Sequence, residues 1–389
     1  MLDPDDSLYL HEQYKFGSRE KEHAEFEDHV RRVLDAQKAL AAEHSPGNPK
    51  RVFHAKSHAC LAGSLRLLED RPQITRQGIF GENAKAAYSV LARFSGGVGF
   101  DQHDLKPDVR GLALKIFGVA DDTTAADTQV ARTVDFLMTN STNPFGKDHD
   151  EFVQFMEASL ASAQFIGFLI RHPKVARLLI KASFRSIPSL ATEQYWSGHA
   201  YLLGPRQAMK FNVRPIADGP ADFGDELRQE NEILQSSLGA VGDKLSDQLT
   251  HWFEARGERH SKVNPDYLSL ELRDRLRRGP IKFVFSVQLE KDPQTTPIED
   301  ALVEWKESDS PSIPVAELVL DREIEPHVCE VARFTPGHCI PEHRPLGNMG
   351  RGRLFAYDAS QRGRHAATEE EIEQTLFTGR VASRITDEG

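Results

Sequence analysis

The sequence has no run of about 18 apolar residues, which excludes a membrane-spanning helix. Cysteine is scarce. Cys60, Cys329 and Cys339 are the only three, too few for a disulfide framework and odd in number, so free thiols in a reducing compartment are expected. The opening stretch MLDPDDSLYLHEQYKFG is acidic and lacks the apolar centre of a secretory signal, which adds the expectation of a cytoplasmic location. Positive charge is in deficit. Lys and Arg number 48 against 59 Asp and Glu, a formal net charge of −11. That excludes a general nucleic-acid binder but not a local basic pocket for an anionic group. There is no internal repeat and no low-complexity tract. The glycine-rich FSGGVG at 94–99 lacks the lysine and threonine of a phosphate loop.

What is present is ordinary globular composition, 39% hydrophobic over 389 residues, enough chain for a large core. Residues 19–44 are charged and helix-prone, and SPGNPKR stops them. Residues 1–50 therefore read as an arm and a helix packed on a main body, 51–389. Strand-like runs follow: AAYSVLARFSG, RGLALKIFGV, TVDFLMTN, AYLLGPRQAMKFNVRP, IKFVFSVQLEK and PVAELVLDRE. Their number and length predict an α+β protein built on an antiparallel β-barrel of about eight strands. Helical insertions are expected at roughly 150–195 and 221–278. From Ala158 to Thr192 there is no acidic residue, while Arg171, Lys174, Arg177, Lys181 and Arg185 are basic.

The chemistry concentrates in GRLFAYDASQRGRH, residues 352–365. On a helix Arg353 and Tyr357 share one face, and a guanidinium beside a phenol favours the phenolate. A tyrosine that binds a ferric iron needs that form. Three further stretches carry histidine, serine, asparagine and arginine: RVFHAKSHACLAG at 51–63, ARFSGGVG at 92–99 with DVRGLALKIFG at 108–118, and VDFLMTNSTNPFGKD at 134–148. Cys329, His338, Cys339 and His343 offer zinc-type ligands, but the adjacency of His338 and Cys339 fits no usual finger.

In order and spacing these stretches, with TPIEDALVEWKESDSPSIPVAELVLDRE at 296–323, resemble the catalase superfamily of haem proteins from about residue 30 to 365. The resemblance implies haem b as cofactor, with Tyr357 as the iron ligand and Arg353 holding it as phenolate. It implies His54 as the distal acid–base group, Ser95 as the partner that fixes its tautomer, and Asn140 as the distal amide. Asn140 is preferred to Asn143 because LMTN aligns better, although the loop to Phe145 is then one residue short. Phe152 would pack on the distal haem face, and Arg51, Arg93 and Arg364 would bind the propionates.

Departures shape the functional expectation. Phe53 stands where catalases usually have valine, and Ser57 and His58 stand where they have small residues. No flavodoxin-like domain of the kind found in large catalases is expected after Tyr357. TPGHCIPEHRPLGNMGRGR at 335–353 resembles the smaller catalase-related hydroperoxidases. The resemblance thus implies a haem hydroperoxidase or peroxidase that cleaves the O–O bond of organic hydroperoxides, fatty-acid ones included, or of hydrogen peroxide. The alternatives are a true catalase, a hydroperoxide isomerase or dehydratase of the allene oxide synthase type, and a haem-binding sensor with little turnover. Expected partners are a small-molecule or lipid hydroperoxide, an organic reductant, a membrane surface touched peripherally and further copies of the chain.

Overall fold

The computed structural model describes residues 8–9, 11–119, 133–183, 187–216, 263–364 and 372. Its strands are β1 (Ser57–Leu67), β2 (Ala87–Gly96), β3 (Arg110–Phe117), β4 (Thr133–Thr139), β5 (Tyr195–Trp196), β6 (Tyr201–Leu202), β7 (Ala208–Pro215), β8 (Ile281–Leu289) and β9 (Ile313–Glu323). They hydrogen-bond in the order β5-β4-β3-β2-β1-β9-β8-β7-β6, all antiparallel, and β5 also pairs with β7. Eight strands thereby close into a barrel, and β6 rides on β7 beside it. Closure removes the unpaired edges an open sheet would expose.

The expected runs become β2, β3, β4, β8 and β9. The single run at 200–215 is instead two strands, broken near Gly204, where φ is +67°. β1 was not among the expected runs. Its sequence SHACLAGSLRL is rich in small residues and does not alternate, so it carries little strand signal. Smallness is what its place between β2 and β9 requires: a Cβ on Gly63 would sit 1.9 Å from the Val319 carbonyl oxygen. Inside the barrel, Phe80, Phe94, Phe136, Phe211, Phe283 and Phe285 are fully buried. Phe136 meets Phe211 and Phe285 with ring centroids 4.8 and 5.0 Å apart, so the interior is filled with side chains and the site must lie outside it.

The helices are α1 (Arg19–His44), α2 (His149–Ala158), α3 (Ser162–Arg171), α4 (Pro173–Ser183), α5 (Tyr267–Arg278), α6 (Pro326–Val331) and α7 (Gly347–Gly363). Ser18 caps α1 and Asp148 caps α2, each accepting from the third backbone N–H beyond it. α1 lies along α7 and α2. Arg351 of α7 binds Glu12 at 2.8 Å and Glu22 at 2.9 Å, both buried, which ties the arm to the body. The expected helices between 150 and 195 are α2, α3 and α4. Most of the insertion expected at 221–278 lies outside the described residues, and α5 is its described end.

One expectation is corrected. Cys60 and Cys329 are not free thiols: they form a disulfide across 269 residues of sequence, and the third cysteine, Cys339, is a buried thiol outside it. The fold itself brings them together, because α6 packs on β1 and Ile324 N–H donates to the Cys60 carbonyl. A chain distance of that size hides such a pair from sequence spacing. The zinc reading of 329–343 goes with it. Cys329 is spent, His338 binds Asp135 at 3.0 Å, and His343 accepts from the Ile79 N–H at 3.1 Å.

Candidate active site

Between the barrel wall, α2 and α7 lies a cavity of about 590 Å³. Arg51, His54, Arg93, Ser95, Phe152, Arg353, Tyr357 and Arg364 all line it. These eight come from four separated parts of the chain.

His54 precedes β1 and has φ +60°, a left-handed conformation that non-glycine residues rarely adopt. Its N–H donates to the Gly97 carbonyl at 2.9 Å, and its Nδ1 lies 3.1 Å from Ser95 Oγ at the end of β2. Such strain persists where surrounding contacts over-determine the residue. The space for the pair is made by Gly111: a Cβ there would lie 2.6 Å from His54 Nδ1 and 2.7 Å from Ser95 Oγ. Burial, then the neighbouring Arg93, lower the His54 pKa to about 3, so the imidazole is neutral and free to accept a proton.

Across the cavity α7 presents Tyr357. Arg353, one turn earlier, donates Nη2 to the Tyr357 oxygen at 2.8 Å, and its Nη1 lies 2.8 Å from His199 Nδ1. The pair expected from the R-x-x-x-Y spacing is therefore formed, with His199 as a third member that no spacing revealed. Burial, then Arg353, hold His199 well below the usual histidine pKa, so it acts as a neutral acceptor for the guanidinium.

At a third wall Arg51, Arg93 and Arg364 gather around Glu330. Glu330 lies 3.3 Å from both Arg51 and Arg93, and Arg364 binds the backbone carbonyls of Glu330 and Ala332 at 2.7 and 2.9 Å. Burial, then Arg93, lower Arg364 to about 10, and burial with the like charges of Arg364 and Arg93 lowers Arg51. Arg93 Nε and Arg364 Nε are buried with no hydrogen-bond partner among the described residues. Among the described residues, one carboxylate for three guanidiniums leaves two positive charges unmatched, and the orphaned donors point to an anionic group as their complement. A planar dianionic macrocycle such as haem fits this donor set, and Tyr357 offers an oxygen in the same cavity.

Phe152 lines the cavity 5.6 Å from the Phe53 ring. Asn140 does not line it. Its Oδ1 accepts from the Arg110 N–H at 2.8 Å and its Nδ2 donates to Glu193 at 3.1 Å, so both ends of the amide are occupied. Asn143, the alternative weighed in the sequence, is at the cavity wall, with Nδ2 bound to the Ala301 carbonyl at 2.6 Å. Glu193, Glu330 and Gly111 were missed by sequence reasoning. Glu193 and Glu330 sit in no chemical motif, Gly111 lies within DVRGLALKIFG without carrying a reactive group, and each acts only on a neighbour brought in by the fold.

A family model described as "Catalase" matches residues 244–378. The chain is 31% identical over 345 residues to a peroxisomal catalase of Toxoplasma gondii, covering 83% of this chain and 61% of that protein. It is 29% identical over 208 residues to a catalase-related peroxidase of Mycolicibacterium paratuberculosis, covering 51% and 54%. Catalase A from Saccharomyces cerevisiae superposes with a TM-score of 0.62 at 17% identity, covering 82% of this chain and 62% of that one, which bears on the fold alone. The chain spans about three fifths of the length of the Toxoplasma relative. The closed eight-stranded barrel, the arginine–tyrosine pair on α7 and these likenesses agree: the chain belongs to the catalase superfamily.

Proposed function

We propose that the protein is a haem-dependent hydroperoxidase that cleaves the O–O bond of organic hydroperoxides, with haem b held by Tyr357. The observation that carries this reading is a single cavity with three separate walls: Arg353–Tyr357, neutral His54 and the three-arginine cluster. When bound, haem supplies the redox centre that accepts the peroxide. Tyr357 would hold the iron, with Arg353 stabilising its phenolate, and Arg51, Arg93 and Arg364 would hold the propionates.

The chain's own work is proton movement. With the Nδ1–H of His54 donating to Ser95, Nε2 carries the lone pair. His54 then takes the proton from the peroxide O–H and returns it to the departing oxygen, which leaves as an alcohol, or as water from hydrogen peroxide. A low pKa suits acceptance only if the proton is passed on at once, and a low-basicity imidazolium returns it readily. An organic reductant, as an electron donor, completes the cycle of a peroxidase.

Two features favour an organic substrate over dismutation of hydrogen peroxide. The Asn140 amide is engaged elsewhere, so His54 works without it. The cavity runs on past His54 to Leu160, Phe165 and Leu179, an apolar extension that hydrogen peroxide does not need. The test is oxygen evolution alongside hydroperoxide loss and product analysis, with and without a phenolic reductant. A higher kcat/KM for alkyl or fatty-acid hydroperoxides than for hydrogen peroxide, dependent on reductant, is expected. Vigorous oxygen release without organic turnover would make it a catalase. Organic turnover without reductant would make it an isomerase or dehydratase, and haem without turnover a sensor.

A further inference from the structure

The helical hairpin α3–α4 has two distinct sides. Its inner side, with Phe165, Phe168, Leu169, Val175, Ala176 and Leu179, is buried against Phe155 and Val109. Its outer side is unlike the rest of this acidic chain. On α3 the stripe one turn apart holds Ile166 and Ile170, 39% and 63% exposed. On α4 the outer stripe is Lys174, Arg177 and Lys181, all exposed, and exposed Arg171 joins the two. None of the four cations forms an ion pair among the described residues, and the segment contains no Asp or Glu. Glu151, beneath the hairpin, is occupied by His172. Exposed isoleucines beside unpaired cations on a hairpin have the composition of a surface that sits at the headgroup level of an anionic bilayer.

Position gives this surface a use. Leu160, at the start of the hairpin, is 37% exposed and also lines the cavity, as do Phe165 and Leu179 from the inner side. The cavity therefore opens beside the apolar and basic face. We propose that α3–α4 docks on an anionic lipid surface, so that a peroxidised acyl chain passes from the bilayer past Leu160 into the cavity without crossing water. The cations would hold lipid phosphates, and Ile166 and Ile170 would enter the acyl boundary. The entry route rests on the organic-hydroperoxide reading above, whereas the docking itself does not.

The test uses the haem-loaded full chain and sedimentation with vesicles of phosphatidylcholine alone or mixed with phosphatidylglycerol. Binding is expected only to the mixed vesicles and is expected to fall in high salt. The triple variant Lys174→Glu/Arg177→Glu/Lys181→Glu should bind at least about ten-fold more weakly, and Ile170→Asp should weaken binding at unchanged charge on α4. These exposed positions lie outside the cavity wall, so both variants should keep wild-type turnover of a water-soluble alkyl hydroperoxide while losing turnover of a vesicle-borne lipid hydroperoxide. No binding to mixed vesicles, or equal binding to phosphatidylcholine alone, would overturn the proposal. So would a dimer of the wild type that Ile170→Asp dissociates, since the face would then belong to a second copy. Vesicle binding without any hydroperoxide turnover would leave docking standing and remove the functional reading instead.

Discussion

His54 Nδ1 lies 3.1 Å from Ser95 Oγ, and the histidine that makes this contact has φ +60°. The backbone is held in a rare conformation so that one ring nitrogen is fixed and the other is free. Replacing His54 with Ala removes the proton carrier but no propionate or iron contact. Haem content should be unchanged, and peroxide cleavage measured by stopped flow should slow by about 10²-fold or more, the scale of a positioned acid–base group. A variant as fast as wild type would move the role to another residue.

Gly111 tests the positioning separately. An alanine there places its Cβ inside contact distance of both partners in the His54–Ser95 pair. The expectation for Gly111→Ala is a fall in kcat of roughly tenfold or more with haem retained, since the three atoms nearest the added Cβ all belong to His54 and Ser95. Wild-type kinetics in this variant would show that the pair has slack the structure does not display.

Acid should destabilise the protein early. His54 and His343 are lowered to about 3 and about 4 by burial. His58, His149 and His199 are held well below the usual value by burial first, with added cost from Arg110, His29 and Arg353 respectively. In the unfolded chain these imidazoles protonate near pH 6.5. Below that pH the unfolded state binds more protons than the folded one, so stability is full above about 6.5 and falls as pH drops toward the folded values. Each group contributes a slope of up to about 1.4 kcal/mol per pH unit. Urea midpoints should decline steadily as pH is lowered from about 7 to about 5. A flat profile would contradict the neutral buried histidines.

The cysteine pairing is tested by counting thiols. In denaturant without reductant, one thiol, that of Cys339, should titrate. After reduction all three should. Three before reduction would return Cys60 and Cys329 to the free state expected from their number alone.

The legibility of the sequence divides along physical lines. Strands such as β3 and β8 are long apolar runs because both their faces are covered, and such runs are visible without a structure. β1 was not, because close packing against β9 selects Ala, Gly and Ser, which carry no periodic signal. The Arg353–Tyr357 pair was visible because both residues lie on one helix, where spacing fixes geometry. His199 completes that pair from 154 residues away, and Glu330 enters the arginine cluster from 237 residues beyond Arg93. Contacts of this kind depend on barrel closure, which no local pattern encodes. Asn140 and Asn143 lie three residues apart in a loop, where alignment ranks both by neighbours and cannot see that Arg110 and Glu193 occupy the Asn140 amide.

The central claim is that Tyr357 ligates haem iron in this cavity, and the absorption spectrum of purified protein reconstituted with haem tests it most directly. The wild type should bind haem and show a Soret band typical of a tyrosinate-ligated ferric centre. Tyr357→Phe deletes only the oxygen that Arg353 binds at 2.8 Å, so the account predicts that this variant loses most of its haem or shows a changed spectrum. Full haem retention with an unchanged spectrum would contradict the account.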